Sequence, residues 1–466
     1  MNGTATVRNL HAIGVPEGVS RWHPRRRARL TWRDRAKREL VFGFLAVALA
    51  LAGGVSANGQ AAPFGPPGPP AVRIDLDQAI QMALSHNHAL LAAQTLILQS
   101  RALEVTASLR PNPVFLTDAL FIPFFNPSSL QGSVLNNISE FDAGVSYLIE
   151  RGHKRQARIR AARDQTSVTQ ANVADNERTL TFGVAQQFIQ VLLAKSTLGF
   201  AQQDLASFSN TVNISQQQYQ AGEVSEGDFL KIKLQLLQFQ TDVSAAQVAL
   251  VQAKAGLRQL TGYDAVPANF DVIGDLTYHP LQLNLLDLEA KALQLRPDLL
   301  AAKEGVTAAG SQYTLARANG KRDLNTELNY THVSTLNNIS AFASIEIPLF
   351  DRNQGEIART HYAITQSEQT EQATSDQVLT DVKSAFAAFQ TDAQVVGLYE
   401  SGYLKGAQDS RDISQYAYHR GAASLLDFLD AERSYRATQL AYRQALGAYM
   451  TAVEQLREAV GTRTLP

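Results

Sequence analysis

The stretch YHRGAASLLDFLDAERSYRATQLAYRQALGAYM, residues 418–450, opens with a glycine-centred break at Gly421 and continues as a long helical pattern. Large side chains recur every seven residues, at Phe428, Tyr435, Tyr442, Tyr449 and Leu456. Smaller side chains follow three residues behind them, at Ala431, Thr438, Ala445, Ala452 and Ala459. This spacing predicts a coiled-coil seam in which large side chains pack against small ones.

A weaker copy of this pattern occurs earlier in the chain. The sequence YQAGEVSEGDFLKIKLQLLQFQ starts at Tyr219, breaks at Gly222 and continues with the same seven-residue period. The tetrapeptide LLAA also occurs twice, at residues 90–93 and 299–302. We therefore predict two structural repeats, residues 72–260 and 285–461, with a linker at 261–284 and a tail at 462–466. Each repeat opens with a predicted helix, over residues 76–109 and 286–318 respectively, and Pro297 suits the start of a helix.

Each repeat then changes to an extended pattern. Strands are predicted at residues 114–122 and 141–149 in the first repeat and at 324–333 and 341–349 in the second. The connections are residues 125–137 and a short segment around Asn337 and Asn338. Alternation is clear in three of the strands, so that each would have one apolar and one polar face. Strands of this kind suit a water-filled membrane barrel, and an ordinary half-buried hairpin is the alternative.

Charged collars and very long helices follow the strands. The collars are YLIERGHKRQAR at residues 147–158 and IPLFDRNQGEIAR at 347–359, interpreted as the place where strand gives way to helix, with a ligand site as the alternative. A helix over residues 156–219 would be about 95 Å long at 1.5 Å per residue. Because this segment is rich in Gln, Asn, Asp and Thr, it can cross an aqueous space but not lie in lipid. Bends or close helix contacts are expected at five glycines within the helical patterns: Gly183, Gly199, Gly397, Gly402 and Gly406.

The amino-terminal region has a different composition. Residues 1–40 hold ten of the 42 Lys and Arg residues, and residues 41–57 are an uncharged, largely apolar run that ends in Val-Ser-Ala. We predict a signal peptide with a long basic n-region over residues 1–57, followed by a Pro/Gly-rich spacer at 58–71. The apolar run is too short for a membrane anchor, and the absence of cysteine excludes a disulfide framework and a lipid-modified N-terminal cysteine. The remaining chain is mildly acidic, which argues against nucleic-acid binding.

Four amphipathic strands cannot close a barrel, and lipid tolerates no open sheet edge, so several copies would have to contribute strands. Over residues 76–461 the chain resembles the TolC-like outer-membrane efflux proteins. The resemblance implies a mainly α fold with a small β part: long antiparallel coiled-coil helices form a periplasmic α-barrel, and a homotrimer supplies four strands per protomer to a twelve-stranded outer-membrane β-barrel. The motif LRPNP at residues 109–113 and the collar ERGHKR at 150–155 are similar to the heavy-metal branch, which includes CzcC- and CusC-like proteins.

The resemblance also implies functional positions. The periplasmic tips that contact the adaptor would be Gly222, Glu223, Val224, Ser225, Gly421, Ala422, Ala423 and Ser424. Asp427 and Asp430 match two aspartate rings of the gate, where raised carboxyl pKa values and divalent-ion binding are expected. Tyr418 and Asp228 match a hydrogen bond that locks the closed state. The alternative is that both ring aspartates are solvated charges beside a helix start.

The sequence therefore predicts the outer-membrane exit duct of a tripartite efflux system, which carries drugs or metal ions passively from the periplasm and is gated at its periplasmic tip. The implied partners are a periplasmic adaptor (membrane fusion protein), an inner-membrane RND-type pump and outer-membrane lipid. The alternative is a periplasmic coiled-coil adaptor or scaffold that does not span the membrane. We expect neither an enzyme nor a cofactor, since the sequence has no phosphate-binding loop or zinc motif, and His86 and His88 point to different sides of a helix. The cargo is not encoded in these patterns.

Overall fold

The two halves of the chain repeat the same order of helices and strands. A computed structural model describes residues 72–120, 125, 140–333 and 336–465. The predicted signal peptide and spacer lie outside these residues, and so does the connection at 125–137 except for Phe125. The first half contains β1 (Arg73–Ile74), α1 (Leu76–His86), α2 (His88–Ser108), β2 (Val114–Leu120), β3 (Glu140–Ile149), α3 (Lys154–Gln220) and α4 (Glu226–Thr261).

The second half begins with a short strand in the linker. Its elements are β4 (Asp271–Val272), α5 (Leu285–Leu295), α6 (Pro297–Asn319), β5 (Leu324–Val333), β6 (Leu336–Ile345), α7 (Gln354–Leu398), a π-helical turn (Tyr399–Tyr403), α8 (Leu404–His419) and α9 (Leu425–Val460). Helix α3 has 67 residues, which corresponds to about 100 Å at 1.5 Å per residue. None of the helices in the described part of the chain is both long and apolar enough to cross a lipid bilayer.

The prediction of one continuous opening helix in each repeat was wrong. Asn87 separates α1 from α2 with extended dihedrals, and its side chain accepts a hydrogen bond from the Leu90 amide. The side-chain nitrogen of Asn87 also donates a hydrogen bond to the Leu260 carbonyl, 3.0 Å away, which connects the break to the end of α4. Arg296 forms the equivalent break between α5 and α6, and Pro297 begins α6 as predicted. A side-chain cap and a tertiary hydrogen bond override the helical period at Asn87. At Arg296, which has no side-chain cap, the following proline disfavours helical dihedrals.

The four long strands form one antiparallel sheet in the order β2-β3-β5-β6. The strands in the first repeat and the third strand lie where they were predicted, within the described residues. The fourth prediction was displaced, because β6 covers Leu336–Ile345 and ends before Pro348. Asn337 and Asn338 are therefore paired strand residues opposite His332 and Thr331, not a connection.

The pairing register separates an apolar face from a polar face. Directly paired residues lie on the same side of an antiparallel sheet. One side carries Phe115, Phe141, Val145, Leu328, Tyr330, Ile339, Ala341 and Ile345, and the other carries Asp118, Asp142, Ser146, Glu327, Asn329, Asn338 and Ser340. The predicted alternation is confirmed in β3 and β5, whereas β2 places Val114, Leu116 and Leu120 on the same side as Asp118, and β6 places Phe342 there. Strands β2 and β6 are the two edges of the sheet within one chain.

The helices that adjoin the four strands, α2, α3, α6 and α7, pack side by side in the same order as the strands. Helix α3 packs against α2, α4 and α6, and α7 packs against α6 and α9. A two-stranded parallel sheet of β1 and β4, which the sequence pattern did not predict, joins the chain before α1 to the linker. Ile74 and Val272 bury its apolar side in a core with Val184, Phe188 and Leu257. The two repeats are therefore joined at both the strands and the linker.

Only one of the five predicted glycine bends is a bend. Gly402 has a φ of 132° inside the π-helical turn between α7 and α8. The expectation was wrong for Gly183, Gly199, Gly397 and Gly406, which have no positive φ. A Cβ added at any of these four would meet no neighbouring atom within 4 Å, so none of them allows a close helix contact within the described chain.

Candidate gate at the helix tips

The two long hairpins reverse direction at glycines with left-handed backbone. Gly222 has a φ of 80° and Gly421 a φ of 70°, dihedrals that other residues adopt only with strain. Ser225 and Ser424 then cap the following helices, since each side-chain oxygen accepts a hydrogen bond from the backbone amide three residues further on. The turns predicted as adaptor-contact tips are thus well-capped turns, and their residues are exposed except for the half-buried Val224 and Ala423.

The two tips lie beside each other. The Gln218 side chain donates to the His419 carbonyl over 3.4 Å, and the Gln415 side chain donates to the Thr211 hydroxyl over 3.0 Å. Behind the turns an apolar cluster joins α3, α4 and α9, and it comprises Phe208, Val212, Ile232, Phe239, Leu425 and Phe428. The Phe208 and Phe239 rings stack with their centroids 4.3 Å apart. This cluster therefore packs the two hairpins against each other behind the turns.

Asp427 and Asp430 follow the second turn and are exposed. Asp427 completes a capping box: its carboxylate accepts a hydrogen bond from the Ser424 amide, and its own amide donates to the Ser424 hydroxyl, each over 3.2 Å. The Ser424 hydroxyl and amide lower the pKa of the Asp427 carboxyl, so within one protomer the shift is opposite to the expected rise. Asp430 forms an ion pair with Arg433 one turn further along α9.

Tyr418 and Asp228 are close but not hydrogen-bonded within this chain. Asp228 accepts hydrogen bonds from Ser225 and Lys231, at 3.0 and 3.2 Å, and these contacts lower its pKa. Burial, together with the charge of Asp228, raises the pKa of Tyr418, whose ring stacks on Phe428. The Tyr418 hydroxyl is buried beside the Ser215 hydroxyl, which acts against the rise in its pKa, and within the described residues neither hydroxyl has a hydrogen bond of normal geometry.

A buried charged cluster above the apolar residues was not predicted. Asp204 on α3 and Glu432 on α9 are only 5% and 6% exposed. Arg436 lies 2.7 Å from the Asp204 carboxylate and also pairs with Asp242 on α4. Arg411 on α8 faces the same acids while it stacks over the Tyr435 ring. This acid–arginine cluster connects α3, α4, α8 and α9.

The two buried acids perturb each other. Burial, reinforced by the charge of Asp204, raises the pKa of Glu432 to about 7, although Arg411 and Arg436 act in the opposite direction. Burial also raises the pKa of Asp204 against the lowering effect of Arg436. A protonated Glu432 can donate a hydrogen bond to ionised Asp204, so the pair holds one proton near neutral pH.

The heptad assignment explains why this cluster was missed. The predicted seam is correct at Tyr449, Ala452, Leu456 and Ala459, which are buried. Nearer the tip, the buried stripe contains Leu425, Phe428 and Glu432, whereas Ala431 is half-buried. The spacing of Glu432 from Phe428, four residues, is the only signal that could have placed it on the inner face.

No group of three or more His, Asp or Glu residues in the described chain could hold a metal ion.

The amphipathic sheet with two open edges, joined to helices far longer than a bilayer is thick, defines a membrane channel with a helical extension. The sequence profile of the family described as "Outer membrane efflux protein" matches residues 79–263 and 288–462. The chain belongs to this family.

Individual relatives agree with this assignment. The chain is 23% identical to the cobalt-zinc-cadmium resistance protein CzcC of Cupriavidus metallidurans over 83% of its own length and 90% of that protein. It is 28% identical to the protein CyaE of Bordetella pertussis over 74% of its length and 79% of the relative. A crystal structure of CusC is similar to this chain with a TM-score of 0.69 and 21% sequence identity. The similarity covers 86% of this chain and 96% of the CusC chain. At that identity the structure supports the fold alone.

The fold and family establish that the protein is an outer-membrane exit duct of a tripartite efflux system that extends into the periplasm. The alternative of a periplasmic adaptor that does not span the membrane is thereby excluded. Membership of this transport family also implies an adaptor and an inner-membrane pump as partners.

Proposed function

We propose that the duct is a homotrimer that is gated by Asp427, Asp430, Tyr418 and Asp228, and that it releases metal cations delivered by an RND-type pump. The observation that supports a homotrimer is that the sheet of one chain has two open edges. The outer edges of β2 and β6 expose unpaired backbone groups beside an apolar face, and lipid cannot satisfy them. Pairing of β6 with β2 of the next copy removes every edge, and three copies give twelve strands.

The tip supports a gate because its acids lie on capped, ordered turns. Three copies of Asp427 and Asp430 around an axis would form two carboxylate rings that attract cations and repel one another. The Tyr418 hydroxyl, which lies near the Ser215 hydroxyl and the Asp228 charge, would donate a hydrogen bond to Asp228 in the closed state. Opening then separates the helix pairs, breaks the Tyr418–Asp228 link and widens the rings. The chain itself supplies no catalytic step, and solute diffuses through the duct.

The cargo and partner assignments rest on the relatives. The name of the cobalt-zinc-cadmium resistance protein CzcC refers to metals, and the name of the cation efflux system protein CusC of Escherichia coli refers to cations. Acidic rings at the tip suit the same cargo. The exposed residues of the two turns, Gly222–Ser225 and Gly421–Ser424, would contact the adaptor. Residues 1–57 would be removed as a signal peptide on export, and amino-terminal sequencing of the mature protein would show a start near residue 58.

The absence of cysteine allows a direct test of the edge pairing. Asp118→Cys on β2 is combined in turn with Leu336→Cys, Asn338→Cys or Ser340→Cys on β6, all on the polar face. We expect at least one pair to produce covalent trimers under oxidation. Ile339→Cys lies on the opposite face and serves as the control that should not cross-link to Asp118→Cys. A result in which no polar-face pair links, or the control links equally, would contradict this assembly.

The gate is tested by conductance in planar bilayers. Asp427→Asn with Asp430→Asn removes two charges per chain, and the amide oxygen at 427 can still accept from the Ser424 amide. We expect higher conductance and weaker block by divalent cations. Glu368→Gln with Asp376→Asn neutralises two exposed acids on α7 and should leave block unchanged. Equal block in the wild type and the tip variant would show that these aspartates do not line the aperture.

A further inference from the structure

A basic groove lies where the strands give way to the helices. It has a volume of about 1170 Å³ and is formed by the first turns of α3, the end of α6 and the start of α7. The charged or titratable residues that line it are His153, Arg160, Arg163, Arg317, Lys321, Arg352 and Asp164. Five permanent cations therefore face a single carboxylate in a concave site, which concentrates positive potential there.

Most of these cations have no acidic partner in the described chain. Arg163 has a carboxylate at 3.9 Å, that of Glu104, and the single acid of the groove, Asp164, is engaged by the Ser311 hydroxyl. Arg317 lies over the Tyr313 ring. Arg160 and Lys321 are exposed, and neither forms an ion pair or a side-chain hydrogen bond with any residue that the structure describes. By contrast, Lys154 of the same collar pairs with Asp323 at 2.7 Å, so acids are available nearby but do not enter the groove.

Apolar side chains end the strands that lead into the groove. Ile149, Leu324 and Ile345 pair in one row at the end of the sheet from which the helices leave. Beyond that row, the Leu349 and Phe350 side chains are 68% and 91% exposed. They lie two to three residues before Arg352, which lines the groove at the start of α7. A free anion in water would use only the cations. A molecule with both a charged head and an apolar tail would use both features.

We propose that this groove binds the phosphodiester headgroup of an anionic lipid in the periplasmic leaflet of the outer membrane. The groove lies at the depth of the lipid headgroups. It begins within three residues of the ends of β3 and β5, and the headgroup layer on each side of a bilayer is about 6 Å thick. Arginine forks match phosphate oxygens, and basic pockets beside membrane segments are a known way to hold anionic lipid heads. The lipid tails would cover the apolar row.

The test uses the purified full-length protein in neutral detergent. Binding of phosphatidylglycerol, phosphatidylcholine and inorganic phosphate is followed by thermal shift and by native mass spectrometry. Wild type should bind phosphatidylglycerol in preference to phosphatidylcholine. Arg160→Gln with Lys321→Gln should weaken phosphatidylglycerol binding on the order of 25-fold, at about fivefold per cation near a membrane surface. Arg101→Gln with Lys303→Gln, which neutralises two exposed cations on α2 and α6, should change it less than about twofold.

Three outcomes would overturn the proposal. One is equal binding of the two lipids by the wild type. Another is an equal loss of binding in the groove variant and the control, which would show a general charge effect. The third is full competition by inorganic phosphate at the concentration of the lipid, which would show a site for free anions without any contribution from the apolar row. Native mass spectrometry reports the trimer independently of lipid binding. Failure of the lipid proposal can therefore be distinguished from failure of the trimeric duct.

Discussion

Replacement of Glu432 by Gln should remove much of the pH dependence of stability between pH 5 and pH 8. The pKa of Glu432 is raised from 4.5 to about 7 in the folded protein. The folded state therefore binds the proton more tightly than the unfolded state. This contribution to stability is fully present below pH 4.5 and is lost as the pH rises through 7.

The magnitude follows from the shift. A rise in pKa from 4.5 to about 7, at 1.36 kcal/mol per unit, corresponds to at most about 3 kcal/mol, and this value belongs to the Glu432–Asp204 pair because the two acids share the proton. An unfolding entropy of about 2.1 cal/mol/K per residue over roughly 390 residues converts this to a Tm change of ~4 °C. In Glu432→Gln the amide donates to Asp204 at every pH, as the protonated acid does at low pH.

The assay is thermal unfolding of the detergent-solubilised protein at a fixed scan rate from pH 5 to pH 8. Wild type and Glu432→Gln should have similar Tm values at pH 5, and the variant should be more stable at pH 8 by up to ~4 °C. Glu368→Gln, an exposed acid on α7, should retain the wild-type pH profile. Identical slopes in Glu432→Gln and the wild type would refute a shared proton between Glu432 and Asp204.

Three further predictions concern stability. Arg296→Ala should lower the free energy of unfolding by about 3–5 kcal/mol, because it leaves Asp298 and Asp381 without their buried partner; a loss below about 1 kcal/mol in denaturant unfolding would contradict this. Phe239→Ala should cost about 3–5 kcal/mol by opening a cavity behind both tips, and it should increase protease cleavage at the turns; an unchanged digestion pattern would argue against packing of the two hairpins through Phe239. Ser424→Ala should cost about 1 kcal/mol by removing the helix cap, which amide hydrogen exchange in the first turn of α9 would detect; protection equal to the wild type would show that the cap contributes nothing.

The tips and the sheet faces could be predicted from sequence because their signals are local. Glycine followed by serine and an acid three residues later specifies a turn and a capped helix, as at Gly421 and Ser424. Alternation predicted the apolar and polar faces of β3 and β5 without any knowledge of register, but not those of β2. The seam was correct where large and small residues alternate regularly, near Tyr449 and Leu456.

The remaining features depend on contacts between distant segments. Asn87 breaks a good helical pattern because its side chain caps α2 and donates to the Leu260 carbonyl in the last turn of α4. The β1–β4 pair is too short to leave a sequence pattern. Glu432 is buried against Asp204 of α3 and Arg411 of α8, which only the fold brings close, and beside Arg436 one turn further along its own helix. The start of β6 was misplaced because two asparagines imitate a turn in a strand that pairs along its whole length.

The assembled state is the central claim, and it can be measured directly. The detergent-solubilised protein would be weighed by native mass spectrometry and then reconstituted into planar bilayers for single-channel recording. The account predicts a trimer with small, cation-selective pores that divalent cations block from the periplasmic side. A monomer or dimer without conductance would contradict the closure of the barrel through β2 and β6.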